Sequence, residues 1–267
     1  MIVAGCDVGS LTGKAVILKN GEIISYAIVP TTPRPQRTAE NAMDETLGKG
    51  GLKLEHIEYI VSTGYGREKI SFADSNITEI TCHGRGAYWL APTVRTVIDI
   101  GGQDCKVILL DDKGDVRDFR MNDKCAAGTG RFLEVMARAL GLELEELGSV
   151  SLSSKSSAII TSQCSVFAES EVVTLIAEGA ELPDIIAGIH KSIAGRLISM
   201  VKGINPKKDF ILTGGVAKNA GVVKFLEDEL GKIEKIPVDP QIAGAIGAAL
   251  IAKERLERKN KSGSMKY

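Results

Sequence analysis

Apolar residues along the chain alternate between short runs of strand length and longer stretches of helical spacing. Residues 2–6, 14–19 and 22–29 read as strands, the last two flanking Asn20-Gly21, a pair that favours a two-residue hairpin. The proline-bearing segment 31–37 reads as a loop, followed by helical spacing over 38–47. A strand at 57–62 runs into a glycine turn at 64–66. Helices at 67–73 and 83–90 bracket a short strand near Ile77. Strands then follow at 94–100, 106–110 and 116–121, the last two joined through Lys113-Gly114. Beyond them the chain turns mostly helical, over 130–140, 168–178 and 183–202. A buried strand at 210–213 ends in Gly214-Gly215, and helices at 217–230 and 243–256 close the pattern. The cation-rich residues after 253 read as a solvated helix end fraying into a tail.

The pattern contains a repeat. Asp7-Val8-Gly9-Ser10 has Lys14 seven positions after its aspartate, and Asp99-Ile100-Gly101-Gly102 has Lys106 at the same distance. Each is followed by strand, glycine turn and strand. The copies lie about 92 residues apart, too long for a solenoid unit. They read as two α/β domains, residues 1–93 and 94–267, with the last helix free to pack back on the first domain.

Composition narrows the classes. Lys plus Arg (33) and Asp plus Glu (34) nearly cancel, so no basic field marks the chain for nucleic acid. No basic, signal-like stretch opens the chain, and the small-apolar run at 243–252 is half of a bilayer span. A cytoplasmic protein without a membrane segment is expected. Five scattered cysteines do not form a disulfide framework. Glycine is in excess, 29 residues, about 11% against a usual ~7%.

Those glycines suggest phosphate chemistry. In an Asp-x-Gly hairpin the backbone N–H groups can approach a phosphate with no Cβ in the way. Ser10, Leu11, Thr12, Gly13 and Lys14 form the first such loop, and Gly101, Gly102 and Gln103 the second. Asp7 and Asp99 can hold Mg²⁺, while Gln103 and Asp104 can orient a water for phosphoryl transfer. Gly214, Gly215 and Val216, with Asn219 just after, make a third turn suited to the nucleoside end. Thr129 and Gln241 complete the expected nucleotide contacts. Gly-x-Gly-x-x-Gly and Walker A patterns are missing.

The duplicated hairpins, the Gly214-Gly215 turn and the small-residue helix Ile242-Ala243-Gly244-Ala245-Ile246-Gly247 resemble the actin, sugar-kinase and heat-shock-chaperone ATPase superfamily. That resemblance implies two ribonuclease-H-like domains with ATP or ADP and Mg²⁺ in a cleft between them.

Two cysteines stand apart. Cys125 lies in Asn122-Asp123-Lys124-Cys125-Ala126-Ala127-Gly128-Thr129-Gly130, and Cys164 precedes Val166-Phe167-Ala168-Glu169-Ser170-Glu171. Both have small or polar neighbours and stand before a helix, where the dipole favours a thiolate and an anionic cluster. Zinc and iron–sulfur centres want about four ligands, and a two-fold dimer would supply Cys₄. Cys6, Cys82 and Cys105, with His56, His83 and His190, read as packing or connecting residues. The Cys125 and Cys164 segments, with Asp99-Ile100-Gly101-Gly102-Gln103-Asp104, resemble the activators of 2-hydroxyacyl-CoA dehydratases and the ATPase subunits of benzoyl-CoA reductase. The resemblance implies a homodimer with one [4Fe-4S] cluster bridging Cys125 and Cys164 of both subunits. It implies one-electron delivery, coupled to ATP hydrolysis, to a dehydratase-type or related iron–sulfur reductase. The donor would be a ferredoxin or flavodoxin. The loop at Ser10-Leu11-Thr12 and the segment 31–37 depart from the pattern of the dehydratase activators, so the acceptor stays open. A small-molecule kinase of the same fold and a zinc-bridged dimer are the competing readings.

Overall fold

The computed structural model describes residues 1–161 and 164–264. Its first half runs β1 (Ile2–Val8), β2 (Thr12–Lys19), β3 (Glu22–Pro30), α1 (Pro35–Gly50), β4 (Tyr59–Thr63), β5 (Ser75–Asn76) and α2 (Glu79–Leu90). There follow β6 (Thr96–Ile100), β7 (Cys105–Leu110), β8 (Val116–Asn122), α3 (Gly130–Leu140), α4 (Glu146–Ser151), α5 (Ser165–Ala177) and α6 (Leu182–Lys202). The chain closes with β9 (Phe210–Thr213), α7 (Ala220–Leu230), β10 (Ile233–Glu234) and α8 (Ala243–Ser264).

The sequence repeat becomes a repeat of topology. One sheet has the order β3-β2-β1-β4-β5. The other, taken from its hairpin edge, runs β8-β7-β6-β9-β10. In each, a central strand pairs antiparallel with the next strand in sequence and parallel with a later one. Both central strands are buried almost throughout. That burial explains their unbroken apolar character, since a strand covered on both faces has no polar alternation.

The chain divides into two units. The first comprises Met1–Val94, Leu110–Arg117 and Ile236–Tyr267; the second comprises Arg95–Leu109 and Asp118–Lys235. In the first, α8 lays Ala245, Ala248, Ala249 and Ala252, all fully buried, against the sheet. Only small residues allow this approach: a Cβ on Gly5 of β1 would stand 2.1 Å from the Ala245 carbonyl oxygen. In the second unit α6 is the main buttress, burying Ile185, Ile186, Ile189, Ile193, Leu197 and Ile198. At about 1.5–3 kcal/mol for each side chain of this kind, that face stabilises the unit by the order of 10 kcal/mol.

Some expectations change. The helix expected over 67–73 is only a 3-10 turn, Arg67–Lys69. Arg67 there donates to the Gly64 carbonyl and pairs with Glu79, while Ile60 and Asp74 bond each other, which leaves too little chain for a helix. The expected loop at 31–37 already contains the first turn of α1, with Pro35 at its start, where a missing N–H costs nothing. Residues 217–219 form a 3-10 turn and a cap, so the helix there starts at Ala220. Of the fraying end expected over 253–267, the part to Ser264 is a continuation of α8, with Lys261 in its last turn where a cation suits the dipole, and 265–267 lie outside the described residues. Among the described residues no helix is long and apolar enough to cross a membrane.

Candidate functional site

The first unit places Asp7 near the end of β1, opposite Lys14 of β2 and beside Thr63 of β4. Its side chain is almost fully buried, and Lys14 Nζ lies 3.5 Å from Asp7 Oδ2. A buried carboxylate needs such a partner, because its charge is otherwise far too costly to desolvate. The Ser10–Leu11 turn is braced from β3 and its continuation: Thr31 donates its N–H to the Leu11 carbonyl (2.9 Å) and its hydroxyl to Gly9 (3.0 Å). Gly64, at φ +85°, closes on Asp7; a Cβ there would stand 2.3 Å from Asp7 Oδ1. A Cβ on Gly244, in the first turn of α8, would lie 3.1 Å from Asp7 Oδ2 and 2.9 Å from His83 Nε2. His83, read from the sequence as packing, thus shares the surroundings of Asp7. No local pattern marks it, because α2 reaches Asp7 only through the tertiary fold. Gln241 sits in a 3-10 turn just before α8, its N–H donated to Asp239 (2.9 Å).

The second unit repeats the arrangement with one more charge. Asp99 lies opposite Lys106 and beside Thr213. Lys106 Nζ is 3.5 Å from Asp99 Oδ2 and 2.6 Å from Asp104 Oδ2. The Thr213 hydroxyl donates to Asp99 Oδ1 at 2.7 Å. Asp104 is therefore ion-paired, while Gln103 at the hairpin tip is exposed. The carbonyls of Gly101 and Gly102 accept from the N–H groups of Gly130 and Arg131 (2.9 and 2.8 Å), which docks the start of α3 on the hairpin. Thr129 is buried at the head of α3 and donates its hydroxyl to the Ala126 carbonyl. Gly214 has φ +86° and ψ 175°, a region open in practice to glycine alone, and a Cβ there would stand 2.3 Å from the Ile100 oxygen. Gly215 and Val216 lie in the following 3-10 turn. Asn219 is engaged at both ends of its amide: Oδ1 caps α7 at Val222 N–H (3.0 Å), and Nδ2 lies 3.2 Å from His190 Nε2.

The cysteines separate by exposure. Cys6, Cys82 and Cys105 are buried, and burial pushes their thiols up to about 12, 12 and 11, so they stay protonated. Cys125 is half-buried in the loop between β8 and α3, its carbonyl bonded by Asn122 Nδ2 at 2.9 Å. It precedes α3 by several residues rather than heading it. Cys164 is exposed and is the N-cap of α5. Along α5, which Cys164 caps, Val166, Phe167, Val173 and Ile176 are apolar and exposed, as is Ile159 in the segment before it. Among the described residues no group of three His, Cys, Asp or Glu converges on a metal position.

Residues 4–252 match the model of the BadF/BadG/BcrA/BcrD ATPase family. The chain belongs to this family. It is 48% identical, over 97% of its own length and all of the relative's, to the activator of lactoyl-CoA dehydratase of Anaerotignum propionicum. The solved activator of the 2-hydroxyisocaproyl-CoA dehydratase from Clostridium difficile, with bound ADPNP, superposes with a TM-score of 0.93 at 44% identity, covering 98% of each chain. A ROK hexokinase from Thermus thermophilus matches with a TM-score of 0.51 at 15% identity, over 97% of this chain and all of its own. This last likeness is one of fold alone, and it bears out the sugar-kinase-like architecture that the resemblance implied.

Proposed function

We propose that the protein is an ATP-dependent activator that delivers single electrons to a 2-hydroxyacyl-CoA dehydratase or a related iron–sulfur reductase. The observation that carries the reading is the pairing, in one chain, of two Asp–Lys hairpins with two accessible cysteines, in a family of ATPases whose near relatives are dehydratase activators.

ATP is the nucleotide bound, and in each unit taken by itself the Asp–Lys hairpin, with the Gly214–Gly215 turn in the second, is built to receive part of it. The hairpins offer backbone N–H groups and a buried lysine each, suited to the phosphates. Asp7 and Asp99 would hold Mg²⁺. The Asp7 surroundings fit a water-retaining cation, since glycines at 64 and 244 leave the space against its carboxylate where a side chain would otherwise stand. When bound, Mg²⁺ supplies charge neutralisation at the phosphates. Gln103, exposed at the hairpin tip, is the side chain in this unit best able to orient a water.

Cys125 and Cys164 would hold a [4Fe-4S] cluster. The donor set fits, as two thiols of one chain are half of the four such a cluster takes and a two-fold partner supplies the rest. When bound, the cluster supplies one electron at low potential. The exposed apolar face of α5 beside Cys164 suits burial by the second chain. Raising an electron by about 200 mV needs about 5 kcal/mol, within what nucleotide-driven change can supply. Reduction comes from a ferredoxin or flavodoxin.

Anaerobic purification tests the reading. The expected sample is brown, contains iron and sulfide, and hydrolyses ATP. A colourless, iron-free sample that phosphorylates a small molecule would establish the kinase alternative instead.

A further inference from the structure

A buried polar chain runs through the second unit, and its central member, His190, serves no role in the function argued above. His190, fully buried in the middle of α6, touches Ser151 on one side and Asn219 on the other. Nδ1 lies 2.9 Å from Ser151 Oγ, and Nε2 lies 3.2 Å from Asn219 Nδ2. The donors can be assigned. Asn219 Oδ1 accepts from the Val222 N–H, so the amide nitrogen faces His190 and donates to Nε2. The imidazole proton is then on Nδ1 and goes to Ser151 Oγ, whose own hydrogen goes to the Gly148 carbonyl at 3.0 Å. Every member has one acceptor and one donor in use, and only a neutral imidazole satisfies the set. Burial holds the ring neutral, lowering it from 6.5 to about 4.

The place of this chain in the fold gives it consequence. Asn219 ends the 3-10 turn that begins at Gly215, in the segment argued to receive the nucleoside. The same α6, farther along, flanks the Cys125 loop: Arg196 Cδ would lie 3.2 Å from a Cβ on Gly128. Ser192, Gly195, Arg196 and Ser199 line, with Asn122 and Ala127, a cavity of about 700 Å³ beside that loop. One helix thus carries a rigid side chain fastened to the nucleotide turn and a face laid along the cysteine loop.

We propose that His190 is a positioning residue that fixes Asn219 and, through α6, couples nucleotide at the Gly214–Val216 turn to the Cys125 loop. This rests on the nucleotide reading of that turn. Coupling of this kind requires an element that both sites bias, and a substitution at His190, which ties Asn219 to α6, tests whether α6 is that element.

Two substitutions divide the imidazole. His190→Gln places a polar group near the Nε2 position and keeps an acceptor for Asn219; His190→Asn places one near Nδ1 and keeps only Ser151. The anaerobically purified full-length protein is titrated with ADP, and amide hydrogen exchange across 122–130 is compared with and without saturating ADP. Wild type and His190→Gln are expected to bind ADP alike and to show the same ADP-dependent change in exchange. His190→Asn is expected to bind about tenfold more weakly, the size of one buried hydrogen bond lost, and to lose the change at 122–130 even when saturated. A melting temperature within a few degrees of wild type for either variant places the effect in the coupling rather than in folding. If His190→Asn binds and responds as wild type does, or if both variants lose binding equally, the proposal is overturned. If wild-type protein itself binds no ADP, the nucleotide reading of the turn falls, and the proposal with it.

Discussion

Replacing Lys106 by methionine tests the electrostatic reading of the second hairpin. Lys106 Nζ is almost completely buried, 2.6 Å from Asp104 and 3.5 Å from Asp99. At an effective dielectric of about 20, these separations correspond to attractions of about 6 and about 5 kcal/mol before desolvation is counted. Most of that is cancelled by the cost of burying the charges, and removing one member of a buried pair costs about 3–5 kcal/mol in practice. Lys106→Met keeps the apolar stem and removes the charge, so the loss belongs to the two carboxylates left facing each other. The matched control is Lys14→Met in the first hairpin, where the lysine is slightly more exposed and, among the described residues, is ion-paired with Asp7 alone, at 3.5 Å. Urea unfolding should show a loss of about 3–5 kcal/mol for Lys106→Met and a distinctly smaller one for Lys14→Met. Adding Asp104→Asn to Lys106→Met should recover part of the loss by relieving the carboxylate repulsion. A Lys106→Met protein as stable as wild type, or a Lys14→Met protein that loses more, would refute the reasoning.

Other consequences follow from single positions. Cys125→Ala should lose the iron–sulfur absorption and EPR signal while keeping ADP binding; a [4Fe-4S] spectrum surviving in that variant would rule out Cys125 as a ligand. Gly214→Ala should destabilise the protein by about 2–4 kcal/mol, since alanine must enter a glycine-only region and push back the Ile100 carbonyl; unchanged denaturation and ADP affinity would contradict this. His190 also predicts a pH dependence. Its folded-state value near 4 lies below the ordinary 6.5, so between those limits the unfolded chain takes a proton that the folded one refuses. Stability from this group is full above pH 6.5 and falls by about 3 kcal/mol on descending to pH 4. His190→Gln should flatten that part of the unfolding profile, and equal slopes in the two proteins would refute it.

The fold was legible where a local rule governed it. Asn20-Gly21 marked its hairpin, and the two Asp-to-Lys intervals became two Asp–Lys pairs facing each other across neighbouring strands. Gly130–Leu140 and Phe210–Thr213 follow the expected limits, because strong periodicity and flanking glycines agree there. Short elements went unseen. Glu146–Ser151 and the two-residue β10 owe their shape to packing and pairing rather than to propensity. The helix continues past 256 to Ser264 although its outward cations have a disordered composition, because α8 is anchored by its buried alanines. The candidate site divides in the same way. Glycine turns and cysteine motifs announce themselves in sequence. The approach of His83 to Asp7 and of His190 to Asn219 comes from residues far apart in the chain, and only the assembled fold brings them together.

The most direct test of the account is electron delivery. The anaerobically purified, reduced protein is mixed with a 2-hydroxyacyl-CoA dehydratase, and the oxidation of its cluster is followed with and without MgATP. The account predicts oxidation of the activator and appearance of dehydratase activity only when ATP is hydrolysed. Equal electron transfer without nucleotide, or ATP hydrolysis with no change in the cluster's redox state, would contradict it.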